Sequence, residues 1–381
     1  MNFNLSAEHL RKREEYRQFT QEHIKPRAKE IDEQKKFPRE ALQEMAARGY
    51  MGLPLPREWG GKGDDFLSYV FLIEEISKAC PSTGGILSVH TSVGTYPILY
   101  YGTETQKNKY LSRLASGEWL GAFALTETQA GSDAGAISTT ARFENEYYYL
   151  NGSKVFITNG GEADVYTVFA TVDSSKGKRG ITAFLVDKDT PGLIIGTKEE
   201  KMGLNGSTTV ELVFEDARVP VNNRLGKEGE GFPIALSLLD GGRIGIAAQA
   251  LGIASASLEY ALEFTRQREQ FGQKVFDFQG VSCTLADYFT RLEAARLMVY
   301  RAGWLKSMGE KCTKESSMAK VISTDLAMDA SARSVSLMGA RGGLKEHPVE
   351  KFFRDSKVTQ IYEGTNQIQR MVIAREVLNQ T

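Results

Sequence analysis

The feature that most restricts the fold is a double change of apolar period along the 381 residues. From about residue 6 to about 115 the spacing is helical, with Ile24, Ala28 and Ile31 at i, i+4 and i+7. Pro38 ahead of Arg39-Glu40-Ala41-Leu42 marks a helix start with Pro in the first turn, and Gly60 to Asp65 reads as loop. From about 118 to 225 the runs become β-rich: Tyr166 to Val172, Ile181 to Val186 and Thr208 to Phe214, separated by Gly, Ser, Lys and Asp clusters. Within them, Tyr147 to Leu150, Asn151-Gly152 and Lys154 to Ile157 predict a hairpin around a two-residue type I′ turn. From about 231 the helical period returns. Leu285, Tyr288, Phe289, Leu292 and Ala295 form one amphipathic stripe, whose plain use is core. The chain is therefore read as α+β: an N-terminal α-helical domain over 1–117, a middle β domain over 118–228 and a C-terminal α-helical domain over 229–381. Val219-Pro220 and Gly229-Glu230-Gly231 stand at the second join.

Strands and helices do not alternate, and GxGxxG, P-loop and GxSxG strings are absent from the sequence, which disfavours a Rossmann nicotinamide site. Lys+Arg number 47 against 48 Asp+Glu, so charge gives no reason to expect nucleic acid or a membrane surface as partner. The most apolar stretch, Ile244 to Leu258, is rich in Ala, Gly and Ser and carries Gln249, as a tightly packed soluble helix would. Met1 to Leu5 lead directly into polar residues, and the expected location is cytoplasmic. Cys80, Cys283 and Cys312 are far apart, as are His9, His23, His90 and His347, so neither a disulfide framework nor a metal site is expected.

Three strings carry chemistry. Ala124 to Gly135 packs three hydroxyls, two carboxylates and two glycines into twelve residues at the entry to the β region. Its Gly and Ser suit an anion nest, and equally a turn that caps a helix. Phe156-Ile157-Thr158-Asn159-Gly160 ends a strand with a ring and a hydroxyl, which suits a flat heterocycle, though Phe156 serves equally as core. Gln360 to Gln367 interrupts a helical region with Glu363 beside Gly364. Tyr362 and Ile361 can desolvate that carboxyl and raise its pKa, as a general base near neutrality requires; the alternative is a solvated Glu in a turn.

Together and in this order, the strings resemble those of the acyl-CoA dehydrogenase family over nearly the whole chain. Ala124 to Gly135 resembles its first signature, and Gln360 to Arg370 its second. Between them stand Phe156 to Gly160, Asp240-Gly241-Gly242-Arg243, and Arg268 with Phe271-Gly272. The nearest likeness is to short-chain, butyryl-CoA-type bacterial members. The resemblance implies a β-barrel-like or β-sandwich middle domain, a C-terminal four-helix bundle, bound FAD and α,β-dehydrogenation of an acyl-CoA thioester. It makes Glu363 the α-proton base, with hydride passing to flavin N5 and electrons to electron-transfer flavoprotein. It places Phe123, Leu125, Thr126, Gly131, Ser132, Phe156, Ile157 and Thr158 at the FAD. Thr365 and Gln367 fall on its adenine side. Ser132, Asp240, Arg243, Tyr362 and Gly364 fall at the substrate. Phe271 also falls at an FAD, and Arg268, Gln279 and the segment Ser336-Leu337-Met338-Gly339-Ala340 reach the FAD of a neighbouring subunit, which implies a homotetramer built as a dimer of dimers.

One departure stands out. Relatives read Gly-Gly-x-Gly-Tyr near residue 338, whereas this chain reads Met338-Gly339-Ala340-Arg341-Gly342-Gly343-Leu344. Leu87 to Gly94 matches the segment lining the acyl pocket and has no Arg for a second carboxylate, so a diacid substrate is not expected. His90 and Thr91 there are either satisfied within a helix or in contact with a branched, cyclic or unsaturated acyl chain. Other readings are an enoyl-CoA reductase working in reverse, an acyl-CoA oxidase (disfavoured by length) and a non-catalytic binding scaffold (disfavoured by Glu363).

Overall fold

The structure is a computed structural model that describes residues 4–379. The first part is helical: α1 (Ala7–Phe19), α2 (Ala28–Glu33), α3 (Arg39–Ala47), α4 (Phe66–Ala79), α5 (Pro81–Val89), α6 (Tyr96–Tyr101) and α7 (Glu104–Ser116). Helix α4 starts where the Asp65 carboxylate accepts the Ser68 N–H at 2.7 Å, and α7 starts at a Thr103/Gln106 capping box and stops at Gly117, φ 77°. Ile24, Ala28 and Ile31 are all buried, but a π turn over Thr20–Ile24 and a 3-10 turn over Lys25–Arg27 interrupt the helix that their spacing suggests. Pro38 sits just ahead of α3 rather than inside its first turn.

The middle part is β1 (Gly121–Ala124), β2 (Thr140–Glu144), β3 (Tyr147–Thr158), β4 (Val165–Thr171), β5 (Ile181–Asp187), β6 (Leu193–Lys198), β7 (Thr209–Pro220) and β8 (Arg224–Leu225). They form one sheet in the order β6-β7-β3-β2-β4-β5-β8, with β1 parallel to β4. Tyr148, Tyr166, Phe184 and Phe214 pack together on one face, while Val165, Phe169 and Leu185 join the helical core on the other. Strand β4 is thus buried on both faces, which explains its unbroken apolar run.

The expected hairpin at Asn151-Gly152 is not there. Tyr147 to Thr158 is one strand, and the two-residue turn lies at Asn145-Glu146, φ 48° and 68°, where Glu144 pairs with Tyr147. Asn151 instead bonds across to Asp216, accepting its N–H at 2.9 Å, and Gly152 sits in a register shift where a Cβ would come 2.7 Å from Thr139 Oγ1.

The last part is helical again: α8 (Gly231–Gln267), α9 (Gln279–Ser307), α10 (Thr313–Met338), α11 (Val349–Thr359) and α12 (Asn366–Leu378). By length and composition α8 could cross a membrane, yet 78% of its most apolar window is buried inside the protein. Its glycines let neighbours approach: a Cβ at Gly245 would lie 2.2 Å from Ser88 Oγ, and one at Gly252 would lie 2.4 Å from the Glu74 carbonyl. Of the stripe on α9, Leu285, Leu292 and Ala295 are fully buried.

Candidate active site

Two strained turns define the site. The first begins where β1 ends. Thr126 C=O accepts the Val155 N–H at 2.9 Å, which brings the first string beside β3. Lys154 points inward and is 0% exposed; its Nζ donates to Glu127 Oε1 at 2.7 Å and to the Leu125 carbonyl at 3.1 Å. Glu127 also accepts from Ser138 N, Ser138 Oγ, Thr139 N and Gln129 Nε2 at 2.7 to 3.0 Å. One carboxylate therefore shapes the whole loop from Glu127 to Thr139. Burial opposes its charge, but Lys154 and these donors hold its pKa down at about 2. Burial draws Lys154 down to about 8, and Glu127 keeps it protonated at neutral pH.

Just past Lys154 the β3/β7 register shifts: Lys154 faces Leu212 while Ile157 faces Val210, so β3 carries one extra residue. That bulge turns Phe156 outward, 63% exposed and at φ 58°, while Ile157 returns to the core. A large ring that is both left-handed and uncovered is costly, and such residues gather at ligand sites. Thr126 and Thr158 lie half-buried beside it, and Gly131 and Ser132 are exposed, with nothing within 4 Å of where a Gly131 Cβ would stand. Leu125 is buried, and the Phe123 ring is committed to Phe169, centroids 5.0 Å apart.

The second turn joins α11 to α12. Glu363 and Gly364 are both left-handed, φ 55° and 88°. Glu363 Oε2 is buried without a hydrogen-bond partner, although the residue as a whole is partly exposed. A Cβ on Gly242 of α8 would sit 2.5 Å from that oxygen, so the glycine makes room for the carboxyl. Burial raises the Glu363 pKa to about 7, against the opposing pull of Arg243 and Lys320. The Tyr362 hydroxyl is tethered inward, donating to Gln249 Oε1, whose Nε2 donates to the Pro81 carbonyl at 2.7 Å. Thr365 caps α12, its hydroxyl accepting the Ile368 N–H at 3.3 Å, and Gln367 is exposed in the next turn.

The remaining predicted residues divide into two groups. Asp240 and Arg243 lie on α8 as an ion pair of 3.1 Å; Arg243 is 5% exposed, and its buried Nε has no partner. Arg268, Phe271, Gln279, Ser336, Gly339 and Ala340 are exposed, with Leu337 half-buried, and Phe271 stands 95% exposed at φ 54° on a short hairpin. The departing segment forms a 3-10 turn over Gly339–Gly343, in which a Cβ at Gly342 would meet the Val335 carbonyl at 2.3 Å. His90 is fully buried and satisfied: Nδ1 accepts the Gly121 N–H at 3.1 Å and Nε2–H donates to Leu114 C=O at 3.1 Å. It ties the π turn His90–Thr95 to β1, and burial lowers its pKa to about 4.

Cavities of about 450 Å³ beside Glu15 and Tyr50, and of about 430 Å³ beside Tyr260 and His347, lie away from both turns. Sequence reasoning missed Lys154, Glu127 as its partner, Lys320 and Gln369. Lys154 had a signal, because it keeps the inward parity of Tyr148 and Leu150; Glu127 and Gln369 fall inside the two signature strings without a role assigned to them, and Lys320 shows none in the sequence.

Comparison with known proteins gives the family. The acyl-CoA dehydrogenase N-terminal, middle and C-terminal domain models match residues 6–118, 122–217 and 229–378. An acyl-CoA dehydrogenase of Bacillus subtilis is 51% identical over 99% of this chain and 100% of its own length. A short-chain specific acyl-CoA dehydrogenase of Clostridium acetobutylicum is 48% identical over 99% of this chain and 100% of its own. A chain solved in work on the electron transferring flavoprotein of Acidaminococcus fermentans superposes with a TM-score of 0.98 at 46% identity, covering 99% of this chain and 100% of that one. The chain belongs to the acyl-CoA dehydrogenase family and is an oxidoreductase.

Proposed function

We propose that the protein is a short-chain acyl-CoA dehydrogenase that converts an acyl-CoA thioester to its trans-2-enoyl-CoA. The observation that carries this is the Glu363 carboxyl: buried, with Oε2 unpaired, and brought to a pKa of about 7 by that burial. A base so poised takes a weakly acidic α-proton at neutral pH. The Glu363 backbone N–H donates to the thioester oxygen and stabilises the developing enolate. FAD is the cofactor of the family, and the cradle fits it. Phe156 offers an uncovered ring, Thr126 and Thr158 flank it with hydroxyls, and Gly131-Ser132 presents open backbone for a pyrophosphate. Bound FAD supplies the acceptor for the β-hydrogen as hydride. Asp240 and Arg243 face the CoA end, and Tyr362 and Gly364 border the substrate beside the base.

The exposed Arg268, Phe271, Gln279, Ser336, Gly339 and Ala340 suit contact with the FAD of a second copy, hence a homotetramer. Thr365 and Gln367 close the adenine side. Electron-transfer flavoprotein is the proposed acceptor, supported by the likeness to the Acidaminococcus chain. Because His90 is committed between α7 and β1, it does not select a branched or cyclic acyl group. The same residues serve enoyl-CoA reduction when electrons arrive from a reduced partner. In the test, anaerobic butyryl-CoA bleaches the flavin band of the wild type, while Glu363→Gln binds the ester and stays oxidised. Bleaching of that variant at the wild-type rate removes Glu363 from the role of base.

A further inference from the structure

The Glu363 turn is held from behind by two buried side chains. Gln369 Nε2 donates to both carbonyls of the turn, Glu363 O at 3.2 Å and Gly364 O at 3.0 Å. Lys320, on α10, donates from Nζ to Gly364 O at 3.0 Å and to Asn366 Oδ1 at 2.8 Å. Asn366 in turn donates to Thr324 Oγ1 at 2.9 Å and to Asp325 Oδ1 at 2.8 Å. Gln369 and Lys320 are both 0% exposed. A left-handed glutamate next to a left-handed glycine persists only where its surroundings fix it, and these bonds do so.

We infer that Lys320 and Gln369 are positioning residues for Glu363: together they lock its turn, and Lys320 places a compensating positive charge behind its carboxyl. This rests on Glu363 being the base. Both hydrogen-bond acceptors of Lys320 are neutral, so they do not offset the expense of a buried ammonium. Burial draws Lys320 down to about 7, and the charge that most opposes this is Glu363, followed by Asp325. The two groups are thus mutual counter-charges across the turn.

Every neighbouring element contributes to this field. From α8, Arg243 faces Glu363, but Asp240 already bonds its guanidinium. From α10, Lys320 faces it, with Asp325 behind, and Arg370 of α12 lies beyond. Tyr69 of α4 and Tyr362 of the turn itself are phenols that burial keeps protonated. Arg243 and then Lys320 are the two cations that oppose the burial of the carboxyl, and Lys320 is the one that also bonds its turn. Without it, burial drives the carboxyl further toward its neutral form.

The experiment uses FAD-loaded enzyme and Lys320→Met, Lys320→Gln and Gln369→Leu variants, with thermal melts to confirm folding. Anaerobic flavin reduction by butyryl-CoA is followed by stopped flow from acid to alkaline pH. Amide exchange over residues 360–368 is measured without substrate. Both Lys320 variants move the apparent pKa of reduction up by about one unit or more, and at saturating ester the loss at neutral pH is recovered at alkaline pH. Gln369→Leu leaves the pKa in place but speeds exchange in the turn by about fivefold or more. A wild-type pH profile in both Lys320 variants overturns the electrostatic half, and wild-type exchange in Lys320→Met and Gln369→Leu overturns the clamp. If butyryl-CoA leaves even the wild type oxidised, the proposed function fails by itself, and the exchange data still decide on the clamp.

Discussion

Replacing Lys154 by Met tests the cofactor cradle where it is held most tightly. Lys154 is 0% and Glu127 3% exposed, so deleting the ammonium strands a carboxylate inside the protein. Removing one partner of a buried pair costs about 3–5 kcal/mol. Four other donors still reach Glu127, from Ser138, Thr139 and Gln129, which puts the expected loss at the low end, about 3 kcal/mol. The pH dependence has a definite sign. Glu127 titrates at about 2 in the folded chain against an ordinary 4.5, so its contribution is complete above 4.5 and disappears as pH falls toward 2. The deficit of Lys154→Met is therefore full at pH 7 and shrinks through that window. Urea unfolding at several pH values measures it. Adding Glu127→Gln removes the stranded charge, so the double variant is less destabilised than the sum of the singles by about 1 kcal/mol or more. A deficit under about 1 kcal/mol at pH 7, or strict additivity, refutes the idea that this pair organises the loop.

Phe156→Gly relieves a left-handed backbone while giving up a mostly exposed ring, so the flavin-free chain gains up to about 1 kcal/mol in urea unfolding. The same change weakens FAD binding by about tenfold in a fluorescence titration, because the aromatic contact is lost; unchanged affinity removes Phe156 from the cofactor site. His90→Leu leaves the Gly121 N–H and the Leu114 carbonyl buried and unpaired, and costs about 2–5 kcal/mol in the same unfolding assay. In the wild type this stabilisation is full above pH 6.5 and declines as pH falls to about 4, since the unfolded imidazole takes up a proton that the buried one refuses. A loss below about 1 kcal/mol makes the bridge dispensable.

How far the sequence reveals the molecule follows from the range of its signals. Helical and alternating periods are local and dense, so the helix, β and helix succession is legible, and the runs at Tyr166, Ile181 and Thr208 fall on β4, β5 and β7. Asn151-Gly152 misleads because its residues are good at two things. The Asn that suits a type I′ turn also reaches across to Asp216, and a Gly fits a bulge as well as a turn. The real turn uses Asn145-Glu146, and Glu carries no turn signal. In the site, Glu363 is legible because Gly, Tyr and a carboxylate meet within a few residues. Lys320 is not, because its meaning comes from Gly364 and Asn366, 44 and 46 residues away, and Gln369, though near the carbonyls of Glu363 and Gly364 in the chain, is an amide that no local pattern marks. Long-range polar satisfaction leaves no period to read.

Backbone strain connects these observations. Among the described residues, several non-glycine positions with positive φ are polar and lie in solvent-facing turns, such as Lys35, Asn145 and Glu146, where the conformation costs little. Phe156, Phe271 and Glu363 are different: two bulky rings and a carboxyl, all within the motifs, none suited to that region by its own chemistry. Each is held by something that packing alone does not require. A bulge beside a buried ion pair presents Phe156, a two-residue hairpin loop presents Phe271, and a clamp of Lys320 and Gln369 presents Glu363. A sequence selected only for stability would place glycine at these three points. Buried Leu204 shares the conformation outside the motifs, so strain alone does not mark a site; what sets Phe156 and Glu363 apart is that buried polar groups hold a ring and a carboxyl away from the chain's own apolar core.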